Sequence, residues 1–381
     1  MKNKVMVFVM AVFMIVSIGL TNVKNVEAEN DIRNMNFSLE EAKDYAIENS
    51  KDIKLTDIEI ENANTQRRQQ LKRIEDLEDA QDLANKGFIP MSMQDSLYGY
   101  DVEITKELTP DRLNMAIELA EKGKESTIEQ TRLGVEKLYY EVKKMENLID
   151  IQRESIERAK DQLKIAKSKL KNGVGTEVAV TMAEINLSDL EIELDNLNIG
   201  YNSARMNLNK LLGLPVNTEL TLTSEVEFEK FKDIGAEEIV MKAYEDRMDM
   251  YQVKKKYEFT LRETEINKKF YDKYTYPYKY QQYNLNKAQI NLDNKKTDIE
   301  IEVKLDLQKL NSLENEIKKY DNNIKKVEEN LRIAKVKYEN GLGILQDVLD
   351  AENTLKKAKF QKVTGIYSYM NLKGKLESYL E

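Results

Sequence analysis

A stretch of 25 residues occurs twice in this chain without a gap, and the two copies lie 168 positions apart. The first copy, Leu163–Leu187, reads LKIAKSKLKNGVGTEVAVTMAEINL, and the second, Leu331–Leu355, reads LRIAKVKYENGLGILQDVLDAENTL. Twelve of the 25 positions are identical, and each copy places an N-G-x-G tetrapeptide between two helical patterns. The repeated unit is therefore predicted to be a helix–turn–helix hairpin, and a duplicated long hairpin restricts the fold far more than composition does.

The apolar residues beside each turn recur at alternating spacings of three and four, which gives a seven-residue period. Before the first turn this pattern contains Leu138, Val142, Met145, Ile149, Ile156, Ala159, Leu163, Ala166 and Leu170, and a similar run extends from Leu310 to Ala334. A strict seven-residue period makes a narrow seam that favours supercoiling against neighbouring helices. The sequence therefore predicts an all-α protein of elongated antiparallel hairpins, with one helix of about 90 Å from Asp111 to Asn172.

Proline positions support these helices. The four prolines fall between the helical patterns, at Pro90, Pro110, Pro215 and Pro277. Because proline removes a hydrogen-bond donor and clashes with the preceding turn, its absence inside the long patterns is consistent with uninterrupted helices. Pro110 is expected near a helix start, and Gly213-Leu214-Pro215 is expected to end the first hairpin.

The two halves also correspond before their hairpins, where Glu40-Glu41 aligns with Glu237-Glu238 at an offset of 197. The first half therefore carries 29 more residues (197 − 168), and we place them around Lys86–Thr109. A short strand is predicted there from the alternation of Tyr98, Tyr100, Val102 and Ile104. The predicted organisation is a first repeat over residues 29–215 and a second over residues 216–381.

Residues 1–28 have the pattern of a secretory signal peptide. Lys2 and Lys4 precede an apolar run from Val5 to Leu20, and Val26-Glu27-Ala28 offers a small-residue cleavage site. The alternative is an uncleaved signal anchor, although 16 apolar residues fall just short of a membrane-spanning helix. In either case the body of the protein is expected outside the cytoplasm.

Composition argues against an enzyme. Cysteine and histidine are both absent, which excludes disulfides, thiol catalysis, a lipid-modified cysteine and the commonest general base and metal ligand. No acid pair stands out among the 68 acidic residues, so a carboxylate hydrolase is set aside and no cofactor or metal is expected. A net charge of −9 without a basic face argues against a nucleic-acid partner.

Three segments extend the comparison beyond the repeat itself. They are LEEAKDYAIENSKDI from Leu39, LLGLPVNTELTL from Leu211 and YENGLGILQDVLDAENTL from Tyr338. In order and spacing they resemble the TolC-type family of outer-membrane efflux proteins, over nearly all of the chain after the signal segment. The resemblance implies a homotrimer whose chains each donate four long helix segments to a hollow twelve-helix tube, or α-barrel. It also implies export of small molecules or proteins with a periplasmic adaptor and a cytoplasmic-membrane transporter.

One feature departs from the family, whose members insert two β-strands per half into a twelve-stranded outer-membrane barrel. Two membrane strands and a turn need roughly 20 residues or more. The 13 residues from Tyr271 to Tyr283 are too few, and the 24 from Lys86 to Thr109 are barely enough. Little or no β-barrel is therefore expected. The family implies an outer-membrane location, whereas the short segments favour another cell envelope or the cell surface.

The tyrosines of this region, Tyr98 and Tyr100 together with six between Tyr271 and Tyr283, have two interpretations. They could lie at a membrane interface, where amphipathic rings are favoured. Alternatively, they could form a packed cap over the helix ends, with each hydroxyl bound to water or to backbone.

The two turns are the candidate partner-binding sites: Asn172, Gly173, Val174 and Gly175 in the first copy, and Asn340, Gly341, Leu342 and Gly343 in the second. The resemblance implies that these tips form the tube entrance and meet the adaptor. The alternative is that they serve only to reverse the chain. Asp347 and Asp350 are candidate channel-entrance residues, because three copies could ring the opening with negative charge. Alternatively, they complement a helix dipole.

Two functional hypotheses remain after the enzyme is set aside. The first is an exported conduit subunit that works with an adaptor and a transporter. The second is a structural coiled-coil scaffold of the cell envelope that has lost transport. A conduit needs a hollow oligomer, whose helices present polar residues to the lumen as well as two lateral seams, whereas a solid scaffold needs one continuous apolar core. The narrow apolar stripes favour the tube.

Overall fold

The computed structural model describes residues 35–94, 96–232 and 234–380. The signal segment predicted at residues 1–28 lies outside the described residues. In chain order the elements are β1 (Met35–Phe37), α1 (Leu39–Asn49), α2 (Lys51–Asn85), α3 (Met91–Gln94), α4 (Tyr100–Lys171), α5 (Glu177–Leu212), β2 (Leu220–Leu222), α6 (Ala236–Asp246), α7 (Met248–Phe270), α8 (Tyr276–Glu339) and α9 (Leu345–Glu377). The prediction of an all-α fold built from long hairpins is confirmed.

The internal repeat is visible in the order and lengths of the helices. Helices α1, α2, α4 and α5 of the first half correspond to α6, α7, α8 and α9 of the second, and α1 and α6 have 11 residues each. The 29 extra residues of the first half are spread over three places. Helix α2 has 35 residues against 23 in α7, α4 has 72 against 64 in α8, and the connection before α4 is longer than that before α8.

Helix ends follow from local side-chain chemistry. Ser38 and Glu41 form a reciprocal capping box at the start of α1, in which Ser38 N–H donates to the Glu41 carboxylate at 2.8 Å. Gly213 ends α5 in the left-handed region at φ 76°, a conformation that costs little only for glycine. The Gly213-Leu214-Pro215 stop predicted from the sequence is confirmed.

A two-stranded parallel ladder ties the first described residues to the link between the halves. Strand β1 pairs with β2, with Met35 opposite Leu220 and Phe37 opposite Leu222. The fully buried Tyr139 of α4 stabilises this ladder, because its hydroxyl donates to the Phe37 carbonyl at 3.1 Å and accepts from Ser224 N–H at 2.8 Å. Both hydrogen-bonding capacities of this buried phenol are therefore satisfied.

The two helices of each long hairpin pack against each other, and the two hairpins also contact each other. Helix α4 packs along α5, α8 packs along α9, and α4 additionally contacts α9. The repeat keeps one ion pair inside each hairpin, Lys167–Glu184 at 2.8 Å and Lys335–Glu352 at 2.9 Å. The two glutamates of these ion pairs have different environments, since Glu352 is buried whereas Glu184 is exposed. The duplicated hairpins therefore occupy non-equivalent positions within one chain.

Two local predictions were wrong at the start of α4. This helix begins at Tyr100 and contains Pro110, so Asp111 is not its first residue, and the predicted strand around Tyr98–Ile104 is helix from Tyr100 onward. The reason is packing against α7, where Leu108 lies in an apolar cluster with Phe259 and Ile266. Long-range burial offsets the backbone hydrogen bond that Pro110 cannot donate.

The expectation that the tyrosine-rich segments lack long strands is confirmed for the described residues. Residues 271–275 form a short turn, and α8 starts at Tyr276 with Pro277 in its first turn, where proline is well tolerated. In the described part of the chain, no helix has the combination of length and hydropathy needed to cross a bilayer.

The buried seam generates a stability prediction. Leu190 of α5 is buried in a cluster with Ile156 and Ala159 of α4. Leu190→Asp should lower the free energy of unfolding by about 3 kcal/mol or more, because it removes an apolar side chain and buries a carboxylate. The exposed Ser188→Asp on the same helix is the matched control and should be near neutral. Urea unfolding followed by circular dichroism measures both, and equal losses would contradict the assigned seam.

Candidate functional site at the hairpin tips

The first tip closes with a specific pattern of backbone hydrogen bonds. Gly173 has φ 74°, its N–H donates to the Leu170 carbonyl at 3.0 Å, and the Val174 N–H donates to the Lys169 carbonyl at 3.0 Å. These two bonds define a Schellman motif, which satisfies carbonyls at a helix end. Thr176 then caps α5 by accepting from Ala179 N–H at 3.2 Å.

The second tip repeats this geometry 168 residues later. Gly341 has φ 74°, its N–H donates to the Tyr338 carbonyl at 3.2 Å, and the Leu342 N–H donates to the Lys337 carbonyl at 2.8 Å. The Asn340 side-chain amide adds a bond to the Val336 carbonyl at 2.8 Å. The shared backbone geometry explains why the first Gly recurs in both copies.

The second glycine of each turn lies close to the end of the preceding helix, and its φ is not in the left-handed region. A Cβ atom on Gly175 would lie 2.7 Å from the Leu170 nitrogen and 2.8 Å from the Lys169 carbonyl carbon. On Gly343 the nearest atom would be the Lys337 Cβ at 3.1 Å. The first tip is therefore the more tightly closed of the two.

Turn chemistry does not explain the apolar residue between the glycines. Val174 is 75% exposed and Leu342 is 80% exposed. In a Schellman motif this position often packs on the residue five before it, but that residue is a lysine in both copies, Lys169 and Lys337. The same apolar exposure therefore recurs at both tips without a local structural purpose.

The two tips of one chain lie side by side and enclose a groove of about 400 Å³. Its lining is largely apolar and comes from both hairpins, including Val174, Val178 and Met182 of the first and Gly341, Gly343 and Ile344 of the second. Of the predicted site residues, Val174, Gly175, Gly341 and Gly343 thus line one shared surface. Asn172, Gly173, Asn340 and Leu342 lie in the turns but do not line the groove.

Lys169 links the first tip to the second by hydrogen bonds. Its ammonium donates to the carbonyl of Tyr338 and lies 3.4 Å from that of Glu339, the last residue of α8. The same ammonium lies 4.1 Å from the centroid of the Tyr338 ring. Burial raises the pKa of the Tyr338 phenol above its ordinary value, so this ring stays neutral beside the cation. A cation at a helix C-terminus also complements its dipole.

Asp347 and Asp350 lie on α9 beyond the groove. Asp347 is an exposed residue in the first turn of the helix, where a carboxylate complements the dipole. Asp350 is also exposed, and its carboxylate accepts from the Gln346 side chain at 2.8 Å. The position of Asp347 agrees with the helix-dipole interpretation, whereas Asp350 lies beyond the first turn of α9. The channel-entrance ring remains a prediction about the oligomer.

The tyrosine-rich end divides into two groups. Tyr98, Tyr100 and Tyr271 form packing contacts: Tyr98 donates to the Gln81 carbonyl at 2.8 Å, and the rings of Tyr100 and Tyr271 meet edge to face at 5.7 Å. Tyr274, Tyr276, Tyr280 and Tyr283 are 64–78% exposed, more than Tyr98 at 39% and Tyr100 at 60%. The packed-cap interpretation therefore describes the first group, and the second remains available for a membrane or a partner.

Sequence reasoning missed Lys169, Tyr338 and Ile344 at the tips. The available signal was that Lys169 and Lys337 are identical in the two copies immediately before the turn. Within the described ranges, no group of three or more acidic side chains is arranged to hold a metal ion.

Comparison with known proteins agrees with this architecture. Residues 114–214, which include α5 and most of α4, match the model of the outer membrane efflux protein family. The resemblance to the TolC-type family is confirmed by this match together with the fold. No curated protein sequence matches the chain.

Solved structures with the same fold include three described as outer-membrane proteins or channels. VceC of Vibrio cholerae has a TM-score of 0.70 at 12% identity, covering 90% of this chain and 95% of that chain. OprN has a TM-score of 0.66 at 13% identity, with 90% and 89% covered. CmeC of Campylobacter jejuni has a TM-score of 0.64 at 14% identity, with 90% and 85% covered. At these identities the likeness shows the fold.

The tip geometry predicts a graded response to added methyl groups. Gly175→Ala should destabilise the first tip by about 1–3 kcal/mol because its Cβ would overlap backbone atoms. Gly343→Ala should cost less, since the nearest atom is a side-chain carbon. Gly99→Ala, which has open space around it, is the control. Amide hydrogen exchange at Val174 and Leu342 measures the effect, and equal protection in all three variants would refute the close contact.

Proposed function

We propose that this chain is an exported conduit subunit of a TolC-like efflux or secretion system, working with an adaptor protein and a cytoplasmic-membrane transporter. The observation that supports this most directly is the exposed apolar residue placed identically at both tips, Val174 and Leu342. An exposed apolar group is a common docking element when it repeats on one surface. The likeness in fold to outer-membrane channels supports the same function.

The proposed working form is a homotrimer located in the cell envelope, with an outer-membrane location following from the family resemblance. Two tips per chain would place six near-equivalent hairpins on one rim, a repeating surface that suits a ring-shaped adaptor. The exposed tyrosines lie at the opposite end of α8 from the tip, where the proposal places any membrane contact.

The alternative is a structural scaffold of the cell envelope that keeps the helical hairpins without transport. The observation that favours it is the brevity of the connection at residues 271–275, which joins α7 directly to α8. Conduit and scaffold make different predictions for the tips, because only a conduit needs an adaptor bound there.

Replacing Val174 and Leu342 together with Glu tests the proposal. Because both side chains project into solvent, helicity and oligomeric state should stay unchanged. Adaptor binding should fall at least about tenfold, since an apolar contact is replaced by a charge that must be desolvated. Export is measured in cells, and adaptor binding is measured with purified proteins.

Val216→Glu is the matched control, because Val216 is an exposed valine in the link between the halves and not at the tips. It should leave adaptor binding and export unchanged. Normal export by the double tip variant would show that the tips are only turns, and the scaffold alternative would then be favoured.

A further inference from the structure

The last turn of α9 lies where the two halves of the chain meet. On one side of it, Leu376 is fully buried in an apolar cluster with Ile239 and Val240 of α6. On the other side there is a cavity of about 280 Å³, lined by residues of α9, α1, α4 and the link between the halves. Charge in this cavity therefore acts directly on the junction between the halves.

Acidic side chains outnumber basic ones in this cavity. Among the described residues that line it, five carboxylates face three cations, so it carries a net negative charge when all of them are ionised. The phenol of Tyr140 also lines it, and burial raises the pKa of this group, so that it stays neutral. The charged groups are Glu40 and Lys43 of α1, Glu129, Arg132 and Glu136 of α4, Glu229 of the link, and Lys373 and Glu377 of α9.

The carboxylates do not share the cations equally. The Lys43 ammonium lies 2.8 Å from the Glu136 carboxylate, so that acid has a close cation. The Lys373 ammonium lies 2.8 Å from the Glu229 carboxylate and 3.7 Å from that of Glu377. Glu377 is therefore the less compensated partner of a lysine that Glu229 already binds.

The Glu136 carboxylate reaches the same turn of α9. Gly374 makes room for it, because a Cβ atom at this position would overlap the carboxylate. Glu377 follows Gly374 by three residues, so the carboxylates of Glu136 and Glu377 line the cavity beside one helical turn. Burial, together with repulsion by Glu136 and Glu229, raises the pKa of Glu377 despite its contact with Lys373.

The first repeat has the same contact with the link but no ionisable group in place of Glu377. A shift of 168 places Arg205 of α5 on Lys373 and Asn209 on Glu377. Arg205 pairs with a glutamate of the link, as Lys373 does. Asn209 is fully buried, and its amide donates to two carbonyls of the link at 3.0 and 2.8 Å. A neutral amide thus holds the end of α5, whereas the end of α9 carries an acid.

We infer that Glu377 is a proton-dependent contact, which holds the end of α9 against α1 and α4 when it binds a proton and loosens that end when it is ionised. The proton comes from solvent, to which this side chain is 39% exposed. The contact belongs to the junction between the halves and does not depend on the conduit of the proposed function.

The direction of the pH dependence follows from the raised pKa of Glu377. Because the folded chain favours the protonated acid, this group lowers the stability of the folded state as pH rises from the ordinary value of 4.5 through the raised pKa. Glu229 keeps its charge over this range, since Lys373 lowers its pKa. The end of α9 is therefore held more firmly in acidic surroundings than at neutral pH.

Glu377→Gln tests this contact, because the amide has the shape of the protonated acid and carries no charge. Hydrogen exchange of the backbone amides at residues 374–380 is compared between parent and variant at the same pH, so that the intrinsic pH dependence of exchange cancels. At about pH 7 the variant should exchange at least about twofold more slowly than the parent, and near pH 4 the two should agree. Glu328→Gln, at an exposed glutamate of α8, is the control and should match the parent at both pH values.

Glu229→Gln gives a second, independent measurement, which also decides the matter should Glu377→Gln fail to fold. It leaves Lys373 to pair with Glu377 alone, so the loosening between pH 4 and pH 7 should be smaller than in the parent. Unchanged pH dependence in this variant, or a difference between Glu377→Gln and the parent that is equal at both pH values, would overturn the inference. Either result leaves the proposed function standing, because the purified chain is measured without adaptor or transporter.

Discussion

The narrow apolar seam with a seven-residue period is the constraint on which the rest of this structure depends. A helix with so narrow an apolar stripe gains little by folding alone, and a hairpin of two such helices buries only the stripes that face each other. Helices α4 and α5 therefore need α8 and α9, and the contact of α4 with α9 provides a second line of burial. Duplication of the hairpin supplies that partner within one chain.

The two copies nevertheless end in different environments, and this difference has consequences for function. The second hairpin is covered on the face that includes Glu352 and Tyr367, whereas the matching residues of the first hairpin, Glu184 and Ile199, are exposed. A chain that contains two similar hairpins in contact always has one uncovered face on each. This is the physical origin of the proposed oligomer.

At the tips, the requirements of folding and of the proposed docking can be separated residue by residue. The Schellman geometry accounts for Gly173 and Gly341, and close backbone contact accounts for Gly175. Neither accounts for Val174 or Leu342, which expose apolar surface to water. Lys169, just before the first turn, adds a link to the second tip, so the candidate docking surface and the contacts between hairpins share the same few residues.

The sequence by itself determined the hairpins, the two tip turns and the stop at Gly213, because each depends on local periodicity or on backbone conformations that favour glycine. It also located the exposed apolar tip residues. Tertiary structure decided that Pro110 lies inside α4, since burial of Leu108 against α7 outweighs one lost hydrogen bond. It likewise decided that Leu190 of α5 is buried whereas Ile192 and Ile199 of the same helix are exposed. Periodicity identifies a helix face, but only the arrangement of neighbouring helices determines whether that face is covered.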